Sequence, residues 1–176
     1  MSRRVFIGAK PSPALAGIVN VWQQNWQNLP VRWLTPEQLH ITVVPPWNER
    51  NAEEVMAILK PLTVNPQPIP VRFTKVSFGP SPLAPRLIWA EGLAPPELVA
   101  LKDQLEQTLG LTPLRRPFTL HLTLARFRPE DFTSFPFHHL EEHVNWTDTL
   151  NSFALIESFL KPDGVEYQTL STYHLK

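Results

Sequence analysis

The sequence predicts an α+β fold made of two similar halves, each a sheet packed by helices, facing each other across a groove. Three observations carry this expectation. A strand–helix–strand pattern occurs twice in the 176 residues. Each copy closes on a His-x-Thr strand, so that His40 and His121 stand at equivalent places in the two halves of the chain. The remaining segments mix helices and strands and end in a hairpin, an order that suits antiparallel or mixed sheets covered by helices.

Residues Arg3 to Ala9 form a short apolar strand, punctuated by Pro11 and Pro13. Leu15, Ile18, Val19, Trp22 and Trp26 then follow helical spacing, and Pro30 ends the pattern. Leu39 to Val43 alternates as a strand. Residues Ala52 to Leu59 read as a helix and Ile69 to Phe78 as a weakly alternating strand. The second copy begins with a strand from Arg86 to Glu91. Pro95 and Pro96 suit a first helical turn, Leu98, Leu101, Leu105 and Leu109 make the stripe, and Gly110 is the stop. Leu120 to Leu124 alternates as the matching strand. Thr149 to Leu160 and Val165 to Leu175 read as strands joined by Lys161-Pro162-Asp163-Gly164, a turn signature. The whole of 1–176 is read as one domain of two lobes.

Composition narrows the function. Hydrophobic residues make up 43% and charged residues 18%, which suits a packed core and excludes a disordered chain. No apolar run is long enough to span a membrane, and the opening Met1 to Gly8 has too short an apolar stretch for a signal peptide, so a cytoplasmic location is expected. The absence of cysteine excludes disulfides, thiolate metal sites and a cysteine nucleophile. Lys and Arg balance Asp and Glu at 16 each, which argues against a general duplex coater. Charge is nevertheless segregated. Val55 to Ala90 holds Lys60, Arg72, Lys75 and Arg86 without an acid, and Pro113 to Arg128 holds four arginines without one. Such runs are either solvated faces or a local anion site.

On a strand, residues i and i+2 share a face. His40 and Thr42 therefore oppose Leu39, Ile41 and Val43, and His121 and Thr123 oppose Leu120, Leu122 and Leu124. The apolar faces pack on helices and the polar faces look into the groove. A half-buried strand with an incidentally polar face is the bland alternative; the repeated, equivalent placement argues against it. Two histidines across a groove are a general acid and base, and two threonine hydroxyls beside them can donate to anionic oxygens. Arg126 lies five residues after His121, on the opposite face unless a bulge re-aims it. Such a set suits metal-independent phosphoryl transfer, with no cofactor. Arg116 can contact phosphate. Trp47, just past the first motif, can stack a base, whereas Phe6 reads as core. His139-Leu140-Glu141-Glu142-His143 matches an inverted zinc-protease pattern but lacks a helix to present it, and reads as a loop or short helix. No phosphate loop or dinucleotide fingerprint is present.

The pairs His40-Ile41-Thr42-Val43 and His121-Leu122-Thr123-Leu124 resemble the two-histidine phosphoesterase superfamily. Within it, Arg116-Pro117-Phe118-Thr119-Leu120-His121-Leu122-Thr123-Leu124-Ala125-Arg126, Arg4-Val5-Phe6-Ile7 and Ser158-Phe159-Leu160 with Gly164-Val165-Glu166-Tyr167 are similar to the RNA 2′,3′-cyclic phosphodiesterase (2′-5′ RNA ligase) family. Leu120 stands where relatives carry proline, and Val44-Pro45-Pro46-Trp47 where they carry Phe-Leu-Gly. The resemblance implies a bilobal α+β fold and hydrolysis of RNA 2′,3′-cyclic phosphate ends to 2′-phosphates, with ligation as the reverse. It implies that His121 activates water, His40 protonates the departing 3′-oxygen, and Thr42, Thr123 and Arg126 hold phosphate. RNA ends are then the partners of a monomer with no protein or membrane partner. The alternatives are a two-histidine enzyme for another cyclic phosphate or RNA end, a non-catalytic RNA-end binding module, and a zinc hydrolase at the His139 region.

Overall fold

A computed structural model describes residues 2–64 and 66–176, with backbone alone at 63 and 64. Among the described residues, strands and α-helices follow in this order: β1 (Arg3–Ala9), α1 (Pro13–Gln24), β2 (Arg32–Trp33), β3 (Ile41–Glu49), α2 (Ala52–Leu59), β4 (Ile69–Gly79), β5 (Leu87–Gly92), α3 (Pro96–Thr108), β6 (Leu120–Arg126), β7 (Glu141–Leu150), β8 (Ser152–Lys161) and β9 (Gly164–His174). They build two antiparallel sheets, ordered β3-β1-β8-β9 and β2-β6-β5-β4-β7. Setting β2 aside, the orders correspond strand for strand, so the repeat read from the sequence is a repeat of sheet topology. The correspondence holds residue by residue. Ile7, Gly8 and Ala9 pair with Val44, Thr42 and Ile41 in the first half, as Ile88, Trp89 and Ala90 pair with Ala125, Thr123 and Leu122 in the second.

Helices α1 and α2 start where the chain supplies a side-chain cap. Ser12 Oγ accepts from the Leu15 amide at 3.2 Å ahead of Pro13, and Asn51 accepts from the Glu54 amide while donating to its carboxylate. Helix α3 starts at its proline pair instead and ends as its glycine predicts: Gly110 takes φ +63°, and the amides of Gly110 and Leu111 return to the carbonyls of Gln107 and Glu106. Helix α1 stops at Gln24, short of Trp26, because the next amides reach back only three residues and tighten the turn. Trp26 still packs on Trp22 and Phe137.

The helices do not each cover their own half, as the sequence suggests. Helix α1 follows β1 but packs on the second sheet: Trp22 meets Trp146 of β7, and the Gln23 amide donates to the carbonyls of Leu34 and Leu124. Helix α3 follows β5 but lies against β3 of the first sheet. This exchange merges the apolar faces of both sheets and the helices into one core. Two other expectations need correction. Strand β3 runs on through Pro45 and Pro46 to Glu49, which an edge strand tolerates because its outer amides need no partner. The segment 141–150, read as a loop or short helix before a single strand from Thr149, is the separate strand β7. Its alternation is masked because Glu142 stands on the core side, where it accepts from the Trp22 indole at 3.0 Å.

Candidate active site

The two His-x-Thr segments meet where β3 and β6 approach each other between the sheets. His40 immediately precedes β3, and His121 is the second residue of β6. Each ring is held the same way. His40 Nδ1 lies 2.8 Å from the Gln38 carbonyl and His121 Nδ1 lies 3.0 Å from the Thr119 carbonyl. A carbonyl only accepts, so Nδ1 of each ring carries the hydrogen, and the neutral ring keeps its lone pair on Nε2. Both histidines are thereby set as proton acceptors at the same atom.

Aromatic side chains wall the rings. His40 stands 4.8 Å from Phe6 and 4.9 Å, edge-on, from Tyr167; His121 stands 5.0 Å from Trp89. Phe6 is fully buried, in a small cluster with Ala154, Ile156 and Tyr167 on the groove side of the first sheet. It is core, as its strand suggests, but core that supports a histidine. Burial pushes His40 down to about 4, helped by the charges of Arg126, His121 and Lys10 and opposed by the Gln38 carbonyl. Burial also lowers His121, with Arg116 and Arg126 adding to the effect and the Thr119 carbonyl and Glu91 opposing it. The charges of Arg126 and His121 both act on His40, so the two strands bring these groups into one field.

Arg126 reaches this field through a bulge. Ile88 pairs with Ala125 and Trp89 with Thr123, which leaves Leu124 as an extra residue on β6. The bulge turns Leu124 and Ala125 both into the core, each fully buried, and puts Arg126 on the face of His121 and Thr123. The other half has the same bulge at Val43, between Thr42 and Val44. Pro45 stands there where Arg126 stands here, so the guanidinium of one half has no counterpart in the other. The Arg126 Nε is buried and has no partner among the described residues. An orphaned buried donor on a guanidinium, beside two ring acceptors, is arranged for an oxyanion.

The remaining sequence candidates divide. Thr42 and Thr123 lie opposite Gly8 and Trp89, on the faces of their histidines. Arg116 is exposed at the groove margin, and its charge is felt at His121. Trp47 is not brought to the groove. It pairs with Val5 on the core side of the first sheet, packs on the main core, and donates its indole N–H to Glu49 at 3.1 Å. The strand that carries Trp47 onward from the motif turns it to the face opposite Phe6. The zinc pattern also comes apart, because in β7 Glu142 and His143 point to opposite faces. Among the described residues no three potential ligands gather as a metal site, and no helix is long and apolar enough to cross a membrane. The sequence reading missed Tyr167 and Trp89 as ring neighbours, and Lys10 and Glu91 as charges. The available signal for that last pair was position: each precedes its histidine by the same interval.

Solved structures share this architecture. Protein TT0787 of Thermus thermophilus superposes with a TM-score of 0.79 at 22% identity, covering 98% of this chain and 97% of its own. E. coli LigT in complex with 3′-AMP gives 0.72 at 18% identity, covering 100% and 99%. E. coli LigT in complex with phosphate gives 0.71 at 19%, covering 99% and 98%. No curated protein sequence matches the chain. The sequence model of one family spans residues 11–158, from the first helix through both His-x-Thr strands, and by that match the chain belongs to the 2′-5′ RNA ligase superfamily.

Proposed function

We propose that the protein is a phosphoesterase that opens the 2′,3′-cyclic phosphate at an RNA end to a 2′-phosphate, with His40 and His121 as its acid–base pair. The observation that carries this reading is the shared setting of the rings: equivalent positions, the same tautomer, and one field with a guanidinium whose buried Nε lacks a partner among the described residues. A phosphate seated there accepts from Arg126, Thr42 and Thr123. One histidine takes the proton of the attacking water while the other gives a proton to the departing oxygen. The nucleophile and leaving group lie on opposite sides of phosphorus, which suits rings from opposite sheets. The complexes of E. coli LigT with 3′-AMP and with phosphate support a nucleotide phosphate as the ligand class.

The test is turnover of 2′,3′-cyclic AMP in the presence of EDTA, with identification of the product isomer. The expected product is 2′-AMP. His40→Ala and His121→Ala each lower turnover by about 10²–10⁴-fold, the usual size of one acid–base contribution. The double variant loses much less than the product of the two, because both act in one step. Near-wild-type turnover in either folded single variant overturns the reading, as does a requirement for metal.

A further inference from the structure

The second sheet ends in two arginines side by side. Arg32 of β2 is the cross-strand partner of Arg126, and the next pair is Trp33 with Ala125. Trp33 and Ala125 lie on the core side, where Trp33 stands edge-on to Trp22 at 6.1 Å. Alternation therefore turns Arg32 to the groove face, beside Arg126. Like charges directly opposite each other on a sheet repel. Neither guanidinium has a carboxylate within ion-pair reach among the described residues. The pair thus stands uncompensated on the wall of the groove.

Arg32 is also held in place. Its Nη1 donates to the Asp163 carbonyl at 3.0 Å, at the tip of the β8–β9 hairpin of the first sheet. That acceptor is neutral and takes one of the five N–H donors of the guanidinium. The hairpin tip leaves room for it: a Cβ on Gly164 would fall on Arg32 Nη1. Six residues on, the Gln38 side chain donates to the Val165 carbonyl, which docks the same hairpin a second time. Arg32 therefore bridges the two sheets. Because β2 is the edge strand, it does so one strand outside His121 and Arg126. Arg126 has a buried Nε, whereas Arg32 is only half-buried. An anion at Arg126 lies inside the groove, and one at Arg32 lies at its mouth.

We propose that Arg32 seats a second phosphate, the phosphodiester next to the reacting end of an RNA strand, and so selects oligonucleotide ends over mononucleotides. This rests on the reading that the terminal phosphate lies between His40, His121 and Arg126, and it narrows the substrate class of that site. Arg126 aims its buried donor at the terminal phosphate. Arg32, tethered at the mouth, meets the charge that follows it as the strand leaves the groove.

The test is calorimetric binding to the full chain, with no turnover required. The ligands are 3′-AMP, the dinucleotide ApAp with the same 3′-phosphate and one phosphodiester more, and ApAp with an uncharged methylphosphonate linkage. Arg32→Gln keeps an N–H for the Asp163 carbonyl and removes the charge. It lowers the affinity for ApAp by about 10-fold more than that for 3′-AMP, and Arg32→Lys regains part of the difference. The slope of log affinity for ApAp against log salt becomes shallower by about 0.7, the share of one phosphate contact on a single strand. With the methylphosphonate ligand the extra loss disappears. A purely structural Arg32 weakens all three ligands alike, and that result overturns the proposal. An extra loss for ApAp in Arg116→Gln instead of Arg32→Gln also overturns it, by placing the second phosphate at Arg116. Arg126→Gln separates this failure from that of the underlying reading. If it weakens both 3′-AMP and ApAp while Arg32→Gln shows no extra loss, only the second seat falls. If it weakens neither, the groove is not the phosphate site and both readings fall.

Discussion

The buried, neutral His40 makes the fold sensitive to acid by an amount that can be worked out. In the folded chain its midpoint lies at about 4, against an ordinary 6.5. Between these values the unfolded chain binds a proton at this residue and the folded chain does not. Stability therefore rises with pH across the window. The contribution is fully present above 6.5, declines as pH falls, and is lost below about 4. With each pH unit equivalent to about 1.4 kcal/mol, the loss amounts to up to about 3 kcal/mol, a large share of the stability of a single domain. His121 is lowered as well and adds loss of the same sign. His40→Asn removes the titration while keeping an N–H that can donate to the Gln38 carbonyl. Urea unfolding of both proteins at intervals from pH 7.5 to 4 measures the difference. The stability gap between wild type and His40→Asn should shift toward the variant by ~2–3 kcal/mol as pH falls. Inorganic phosphate at pH 5 should stabilise the wild type, because an anion in the groove offsets the charge forced onto the ring. Parallel pH profiles for the two proteins, within ~0.5 kcal/mol, would refute the buried, cation-facing setting of His40.

The threonine donors should separate hydroxyl from shape: Thr123→Ser keeps most activity, while Thr123→Val loses about 1.5–3 kcal/mol of transition-state binding in kcat/KM, and equal activities would remove the donor role. Arg126→Gln should weaken phosphate binding by about 10–100-fold, measured by calorimetry, since it removes the charge beside both rings; unchanged affinity would place the anion elsewhere. Trp47→Ala should lower stability yet leave KM within ~3-fold of wild type, because the indole packs on the core side; a large rise in KM would return it to the substrate site. The bell for kcat/KM, which reports the free enzyme, should centre on the acid side of 6.5 because both rings are lowered, and the bell for kcat should lie at higher pH once a phosphate charge is bound; coincident bells would contradict the electrostatics of the groove.

The repeated strand–helix–strand plan, the two polar strand faces and the residues on them were legible in the chain before any folding was considered. Those features are written in local periodicity, and the equivalent placement of His40 and His121 survives any detail of packing. The helix stop at Gly110 was likewise a local matter of hydrogen bonding and φ. Relations between strands were not legible. The bulges at Val43 and Leu124 appear only when each strand is laid against its partner, and one of them is the reason Arg126 joins the histidines while strict alternation would turn it away. The same pairing turned Trp47 to the core side and split Glu142 from His143 across β7. The exchange of α1 and α3 between sheets is a matter of which apolar stripe finds which apolar face, and several faces in this chain were available to each. Burial and neighbouring charge, which lower both rings, exist only once residues distant in sequence exclude water together. Local pattern names the residues that can do chemistry; only packing sets which face each side chain takes and what charge it meets there.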